Sequence, residues 1–305
     1  MGSTPVDGRA GIDAALVHRL VARQFPQWAD LAMRPVAVDG WDNRTYRLGE
    51  HLTARLPTRP AYAEAVPKEH RWLPVLGPLL PLPVPEPLAL GAPGEGYPHR
   101  WSVRRWIPGG TAEHDRVDDL CHVAVTLAEF LLALQQVDAG DGPGAGAHSF
   151  HRGAPPAHYD DETRRALRAL DGELDAASAS SVWQAAVDAS CTGPPVWFHG
   201  DVAGGNLVVR DGRLAAVIDF GTCGVGDPAC DLGIAWTFFH GPSRKVFRDA
   251  VAQDDATWAR ARGWALWKAL VTLDAEDVDR RTAARQRRIV EDVLAEDRSV
   301  AGRNR

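Results

Sequence analysis

The chain reads as an α+β protein of two lobes, on three observations. Short β-patterned runs cluster between residues 34 and 56, apolar residues recur at helical spacing through most of the chain after residue 117, and a proline-rich passage separates the two regimes. A soft prior of about 150 residues per domain makes two units natural for a chain of 305 residues. We place the boundary near residue 108, giving an N-lobe of 1–108 and a C-lobe of 109–305.

In chain order, Ile12 to Phe25 predicts an amphipathic helix, with Leu16 and Leu20 on one face and Asp13 near its start. Strands follow at Arg34 to Val38, Thr45 to Leu48 and Leu52 to Leu56, the last two joined across Gly49-Glu50. Asp39-Gly40-Trp41-Asp42-Asn43 links the first two strands. Glu69 lies on the next helix, with Leu73 and Leu76 at +4 and +7. The passage from Pro74 to Pro98 holds 8 of the 22 prolines, but apolar residues interleave through Leu79 to Pro85, so an extended packed segment is expected. Trp101 to Gly110 reads as a strand ending in a turn. Val117 to Val137 has helical spacing, and Gly140 to Gly146 breaks it. A long loop is expected before the strand that ends at Phe198. Beyond residue 230 helices are expected at Asp231 to Phe239, Arg244 to Ala252, Asp255 to Leu273 and Glu276 to Glu296. No period of 20 to 50 residues recurs, which excludes a repeat protein.

Composition narrows the function classes. With 45% hydrophobic and 24% charged residues the chain is an ordinary globular protein, not a disordered or fibrous one. Thirty-four basic against forty acidic residues give −6, so there is no bulk attraction for nucleic acid or an anionic membrane. Cys121, Cys191, Cys223 and Cys230 are scattered, without Cys-x-x-Cys or zinc-ligand spacing, and read as free thiols in a reducing compartment. Met1 to Arg9 lacks an apolar targeting core, Val6 is wrong for myristoylation, and no run of 18 uncharged apolar residues exists. A cytoplasmic location is the expectation.

The chemistry concentrates in His199-Gly200-Asp201, Asn206 and Asp219-Phe220-Gly221. One carboxylate to orient a hydroxyl nucleophile, plus an amide oxygen and a second carboxylate for magnesium, is what phosphoryl transfer requires. Between them, Leu207-Val208-Val209 and Leu214 to Ile218 flank the turn pair Asp211-Gly212 and predict a hairpin. If the loop is only those two residues, paired positions sum to 423, Asn206 faces Val217, and Asp219 is the next residue on that face. Such a pair suits a magnesium ion.

These residues, with Gly226-Asp227-Pro228-Ala229-Cys230-Asp231-Leu232, resemble the aminoglycoside phosphotransferase family, small-molecule kinases with a bilobal protein-kinase-like fold. The resemblance covers nearly the whole chain. It implies Asp201 as catalytic base, Asn206 and Asp219 as metal ligands, Asp231 as a buried brace of the catalytic loop, and structural parts for His199 and Asp227. It makes the segment around Gly40 and Asn43 the nucleotide-covering loop, which here has one glycine where a kinase has several. Arg55 stands where the family has its phosphate-binding lysine, with Glu69 as the carboxylate that pairs with it. Trp106 and Ile107 fall in the hinge that reads the base, with ATP or GTP as donor and Mg²⁺ as cofactor.

For the acceptor, Asp160 and Asp161 with Trp236 and His240 are the candidates. Asp160-Asp161-Glu162 equally fits the acidic first turn of a helix, and the tryptophans fit a core. The acceptor expected is an aminoglycoside, with a macrolide or another small metabolite as the alternative. A non-catalytic nucleotide-binding module is the competing class. It conflicts with the retention of all three reactive side chains.

Overall fold

The computed structural model describes residues 9, 11–37, 39–40 and 42–303, with side chains to 297. Val38 and Trp41, in the first expected strand and the loop after it, lie outside the described residues, as does Met1 to Gly8. Helix α1 (Ala14–Gln24) starts at Asp13, whose carboxylate accepts the Leu16 N–H and so caps the first turn. It precedes the antiparallel strands β1 (Met33–Pro35), β2 (Asn43–Leu48) and β3 (Leu52–Pro57). Then come α2 (Pro60–Ala63), α3 (Ala65–Leu76), β4 (Pro87–Gly91) and β5 (Trp101–Arg105). The sheet order is β1-β2-β3-β5-β4.

Strand periodicity gives this sheet two unlike faces. Tyr46, Leu48, Ala54, Leu56, Trp101 and Val103 pack against Leu16, Val17, Leu20 and Val21 of α1 in one apolar core. Residues of the opposite parity, Thr53, Arg55, Ser102 and Arg104, belong to the other face, where α3 brings Glu69. The proline-rich passage is helical as far as Leu76, with Pro74 inside α3, and is extended after residue 79. Leu80, Leu82 and Val84 pack on the larger core, and Val217 donates to the Pro83 carbonyl at 3.1 Å.

From Gly110 the chain turns to helices. β6 (Gly110–Thr111) leads into α4 (Leu120–Gln136), capped by Asp119. The stretch expected as a loop holds α5 (Asp160–Ala169) and α6 (Ala176–Asp188). Its alanines and its N-cap Asp175 favour helix there. β7 (Val196–Phe198), β8 (Leu207–Arg210), β9 (Arg213–Val217) and β10 (Gly224–Gly226) carry the reactive residues. α7 (Ile234–Thr237), α8 (Gly241–Val251), α9 (Asp255–Leu273) and α10 (Arg280–Arg303) complete the described chain. The helical core is centred on Phe130, Trp183, Trp197, Phe220, Phe239 and Phe247. Among the described residues no helix is long and apolar enough to cross a membrane.

Candidate active site

The loop of residues 199 to 206 leaves β7, which pairs antiparallel with β10, Phe198 opposite Gly224. Asp231, 1% exposed, accepts the backbone N–H groups of His199 and Gly200 at 2.7 Å each. Burial raises its pKa, and His199 with the two N–H donors opposes that. His199 Nε2 donates to the Ile218 carbonyl at 2.9 Å, while Nδ1 accepts from the Asp201 N–H at 3.2 Å. One ring therefore ties the loop to the end of β9. Gly200 has φ +88, and a Cβ there would sit 2.8 Å from Thr222 Oγ1. Glycine is required on both counts. Asp227 is gripped by Arg260 through two N–H contacts of 2.6 and 3.2 Å, fixing the Gly226-Asp227-Pro228 corner to α9.

The hairpin forms, with its register corrected by one residue. Arg210 faces Arg213 and Val209 faces Leu214, as the 423 sum requires, but a bulge then shifts Val208 to Ala216 and Leu207 to Val217. Asn206 consequently meets Ile218, whose N–H donates to its carbonyl at 2.9 Å, and not Val217. Both Asn206 Nδ2 hydrogens go to Asp201, to its carbonyl at 2.8 Å and its Oδ2 at 3.1 Å. The amide oxygen is the end that could ligate a cation. Asp219 follows the bulged strand in the left-handed region, φ 68, a conformation Asp tolerates better than most residues.

Among the described residues no three His, Cys, Asp or Glu side chains form a metal-holding cluster. An amide oxygen and one carboxylate nonetheless fit magnesium, which keeps waters and phosphate oxygens as its other ligands. Local charge agrees with this. Burial and then the Asp219 carboxylate raise Asp42 to about 6, against the pull of Arg55. That crowding of negative charge is what a cation relieves.

On the sheet side, Arg55 donates to Asp219 Oδ1 at 2.8 Å and reaches Glu69 only at 3.9 Å. The close partner of Glu69 is Arg104 of β5, through a fork of 2.6 and 3.0 Å with both side chains almost fully buried. Burial alone would raise Glu69, but Arg104 and then Arg55 take it down to about 2. Arg104 escaped the sequence reading. Its signal is parity, since it shares the polar face with Ser102, whose hydroxyl accepts Arg104 Nε at 2.8 Å. Asn43 opens β2 beside Asp42 in the crevice bounded by Arg55, Glu69 and Asp219, whereas Gly40 does not line it. In the segment expected to be the hinge, the Trp106 N–H is spent on the His51 carbonyl at 2.7 Å, and its ring lies under Arg47. Ile107 follows on the path into β6.

A cavity of about 380 Å³ opens at Asp201, floored by residues 200 to 204 and walled by Arg152, Trp264, Trp267 and Lys268. Lys268 Nζ donates to Asp201 Oδ1 at 2.8 Å. Burial would raise Asp201, and Lys268, then His199 and Arg152, override that and lower it. None of the four acceptor candidates lines this cavity. Asp160 accepts Arg164 and the Trp183 indole, exposed Asp161 sits in the first turn of α5, buried Trp236 donates to Glu296, and exposed His240 precedes α8. Glu162 instead supports the wall by accepting Trp267 Nε1 at 2.8 Å.

Comparison with solved structures finds this fold in small-molecule kinases. An aminoglycoside phosphotransferase, APH(2″)-IIIa, solved with GDP and kanamycin, shares 16% identity over 93% of this chain and 98% of its own, with a TM-score of 0.66. Macrolide 2′-phosphotransferase MphH from Brachybacterium faecium shares 23% over 90% and 97%, with a TM-score of 0.59. A macrolide 2′-phosphotransferase type I shares 18% over 91% and 96%, with a TM-score of 0.61. No curated protein sequence matches. The family model described as the phosphotransferase enzyme family, APH, matches residues 33–264, and the chain therefore belongs to that family, whose fold is the protein-kinase-like one seen here.

Proposed function

We propose that this protein moves the γ-phosphoryl group of ATP or GTP to a hydroxyl of a small molecule, working between an N-lobe of 1–108 and a C-lobe of 109–305. The observation that carries this is Asp201, placed between an open cavity on one side and the Asn206, Asp219 and Arg55 cluster on the other. The acceptor oxygen attacks the γ-phosphorus as its proton passes to the Asp201 carboxylate. The bond from that phosphorus to the β–γ bridging oxygen breaks, and nucleoside diphosphate leaves. Asn206 and Asp219 would hold Mg²⁺, which neutralises phosphate charge when bound.

Lys268 and Asn206 each hold one Asp201 oxygen, so the carboxylate is fixed in direction and weakened as a base. An orienting part suits a loose phosphoryl-transfer transition state, in which the nucleophile needs little activation. Arg55 exchanges Asp219 for the phosphates when nucleotide enters. The base lies against the hinge at Trp106 and Ile107, just past the Arg105 and Trp106 N–H groups, which are committed to the Glu86 and His51 carbonyls.

Solved neighbours with GDP, ADP or ATP and with aminoglycosides support a nucleotide donor and a small-molecule acceptor. They share too little identity to carry an acceptor across, so aminoglycoside, macrolide and other alcohols stand as candidates. The same reading takes the protein as cytoplasmic and independent of nucleic acid and membrane. The test is a coupled nucleotide-consumption screen over these acceptor classes with each nucleotide. Turnover that depends on both an acceptor and Mg²⁺ is expected, and acceptor-independent hydrolysis at the same rate would refute the proposal.

A further inference from the structure

The charged wall of the acceptor cavity consists of Arg152, Lys268 and Arg285 against Glu113 and Asp201. Both carboxylates are already engaged. Arg285 Nη1 donates to Glu113 at 2.6 Å, and Lys268 holds Asp201. Among the described residues Arg152 has no carboxylate within ion-pair distance, and its contacts to Tyr159 Oη and the Phe150 carbonyl are long, at 3.4 and 3.5 Å. Its guanidinium lies over Trp267, 4.4 Å from the ring centroid, and over Trp264 at 5.5 Å. Stacking fixes the plane of a guanidinium and leaves its N–H edge for an anion.

The backbone delivers this residue deliberately. Phe150 and His151 are consecutive non-glycine residues at φ 47 and 52, a conformation that costs energy at each position and is retained where the surroundings impose it. Gly153 follows with φ +77 and packs so closely on the catalytic strand that a Cβ would lie 2.1 Å from the Phe198 ring. The backbone beside Arg152 is thereby held against Phe198, three residues before Asp201.

We infer that the cavity selects an alcohol bearing an anionic group, a carboxylate or a phosphate, which Arg152 holds while the reacting hydroxyl meets Asp201. A polyamine sugar brings several ammonium groups to a wall with three cations and no unengaged carboxylate, and is disfavoured. The inference rests on the phosphotransferase reading and specifies its acceptor.

The experiment measures kcat and KM with gluconate and glycerate, glycerol 3-phosphate, methyl gluconate, glycerol and kanamycin. Gluconate, glycerate or glycerol 3-phosphate should have the highest kcat/KM, and the contrast between the first two and the third separates carboxylate from phosphate. In Arg152→Gln the KM for that acceptor should rise about 10- to 100-fold, the usual range for losing a hydrogen bond to a charged group. Its kcat should stay within about threefold, the pattern for lost uniform binding, and Arg152→Lys should recover part of the loss. Thermal unfolding of each variant guards against misfolding. A best acceptor that is neutral or cationic, no turnover of any anionic probe, or a KM unmoved in folded Arg152→Gln overturns the inference. Phosphorylation of kanamycin or glycerol in preference to every anionic probe would do so while leaving the kinase reading intact, and Mg²⁺-dependent nucleotide binding tests that reading separately.

Discussion

Lys268 is one of three lysines in the chain, and its ammonium sits on Asp201, the residue proposed to orient the nucleophile. It depresses Asp201 against the effect of burial, so the carboxylate stays ionised well into acid. In the proposed mechanism deprotonated Asp201 is the active form. In Lys268→Met the folded pKa therefore rises, and the acid limb of the kcat/KM profile should move to higher pH; a superimposable limb would rule this out. Asp201→Ala should leave nucleotide affinity within a few-fold and lower kcat by about 10²–10⁴-fold, measured by calorimetry and steady-state kinetics. At this scale the sequence was most legible for short motifs. His199, Asp201, Asn206, Asp219, Asp227 and Asp231 converge because they lie within one hairpin and its flanks. Arg152, Lys268 and Arg260 were not legible. The residues they stack on or pair with, Trp267, Asp201 and Asp227, lie 115, 67 and 33 positions away, and nothing local marks an arginine or lysine as site-facing.

Among elements, the join of α3 to the sheet depends on Glu69 and Arg104, a buried pair whose disruption leaves an uncompensated charge. Arg104→Met should cost about 3–5 kcal/mol in urea unfolding, and converting both residues to apolar ones should recover much of that. Glu69 also makes stability pH-dependent. Its folded pKa of about 2 lies below the unfolded value of about 4.3, so its contribution is complete above that and is lost as pH falls towards 2. Glu69→Gln should flatten the loss of stability between those limits; equal slopes would count against the assignment. Periodicity exposed most elements here, and α9 spans Asp255–Leu273 as the pattern reads. The bulge in β9 was hidden because Ala215 and Ala216 give no apolar–polar alternation to specify register.

For the whole molecule, Arg55 joining Asp219 is a bridge across the nucleotide cleft, from β3 to the end of β9. Without metal and nucleotide, the two charges compensate each other. Binding must separate them, giving Asp219 to the cation and Arg55 to the phosphates, so the bridge and the ligand compete for the same atoms. The competition has a thermodynamic signature. At a hundredfold excess over Kd, a ligand that binds only the folded protein stabilises it by about 2.7 kcal/mol. Mg²⁺ with nucleotide should produce a gain of that order in the unmodified protein, and nucleotide with a chelator a much smaller one. Asp219→Ala removes the proposed metal ligand and releases Arg55 from its closest carboxylate. Its Mg²⁺-dependent gain should vanish, while the weaker metal-free affinity should hold or improve, because Asp219 no longer competes with phosphate for the guanidinium and only the more distant Glu69 remains beside it. Thermal unfolding under the four conditions separates these effects. If the Mg²⁺-dependent gain survived in Asp219→Ala, neither the metal site nor the competition for Arg55 could stand.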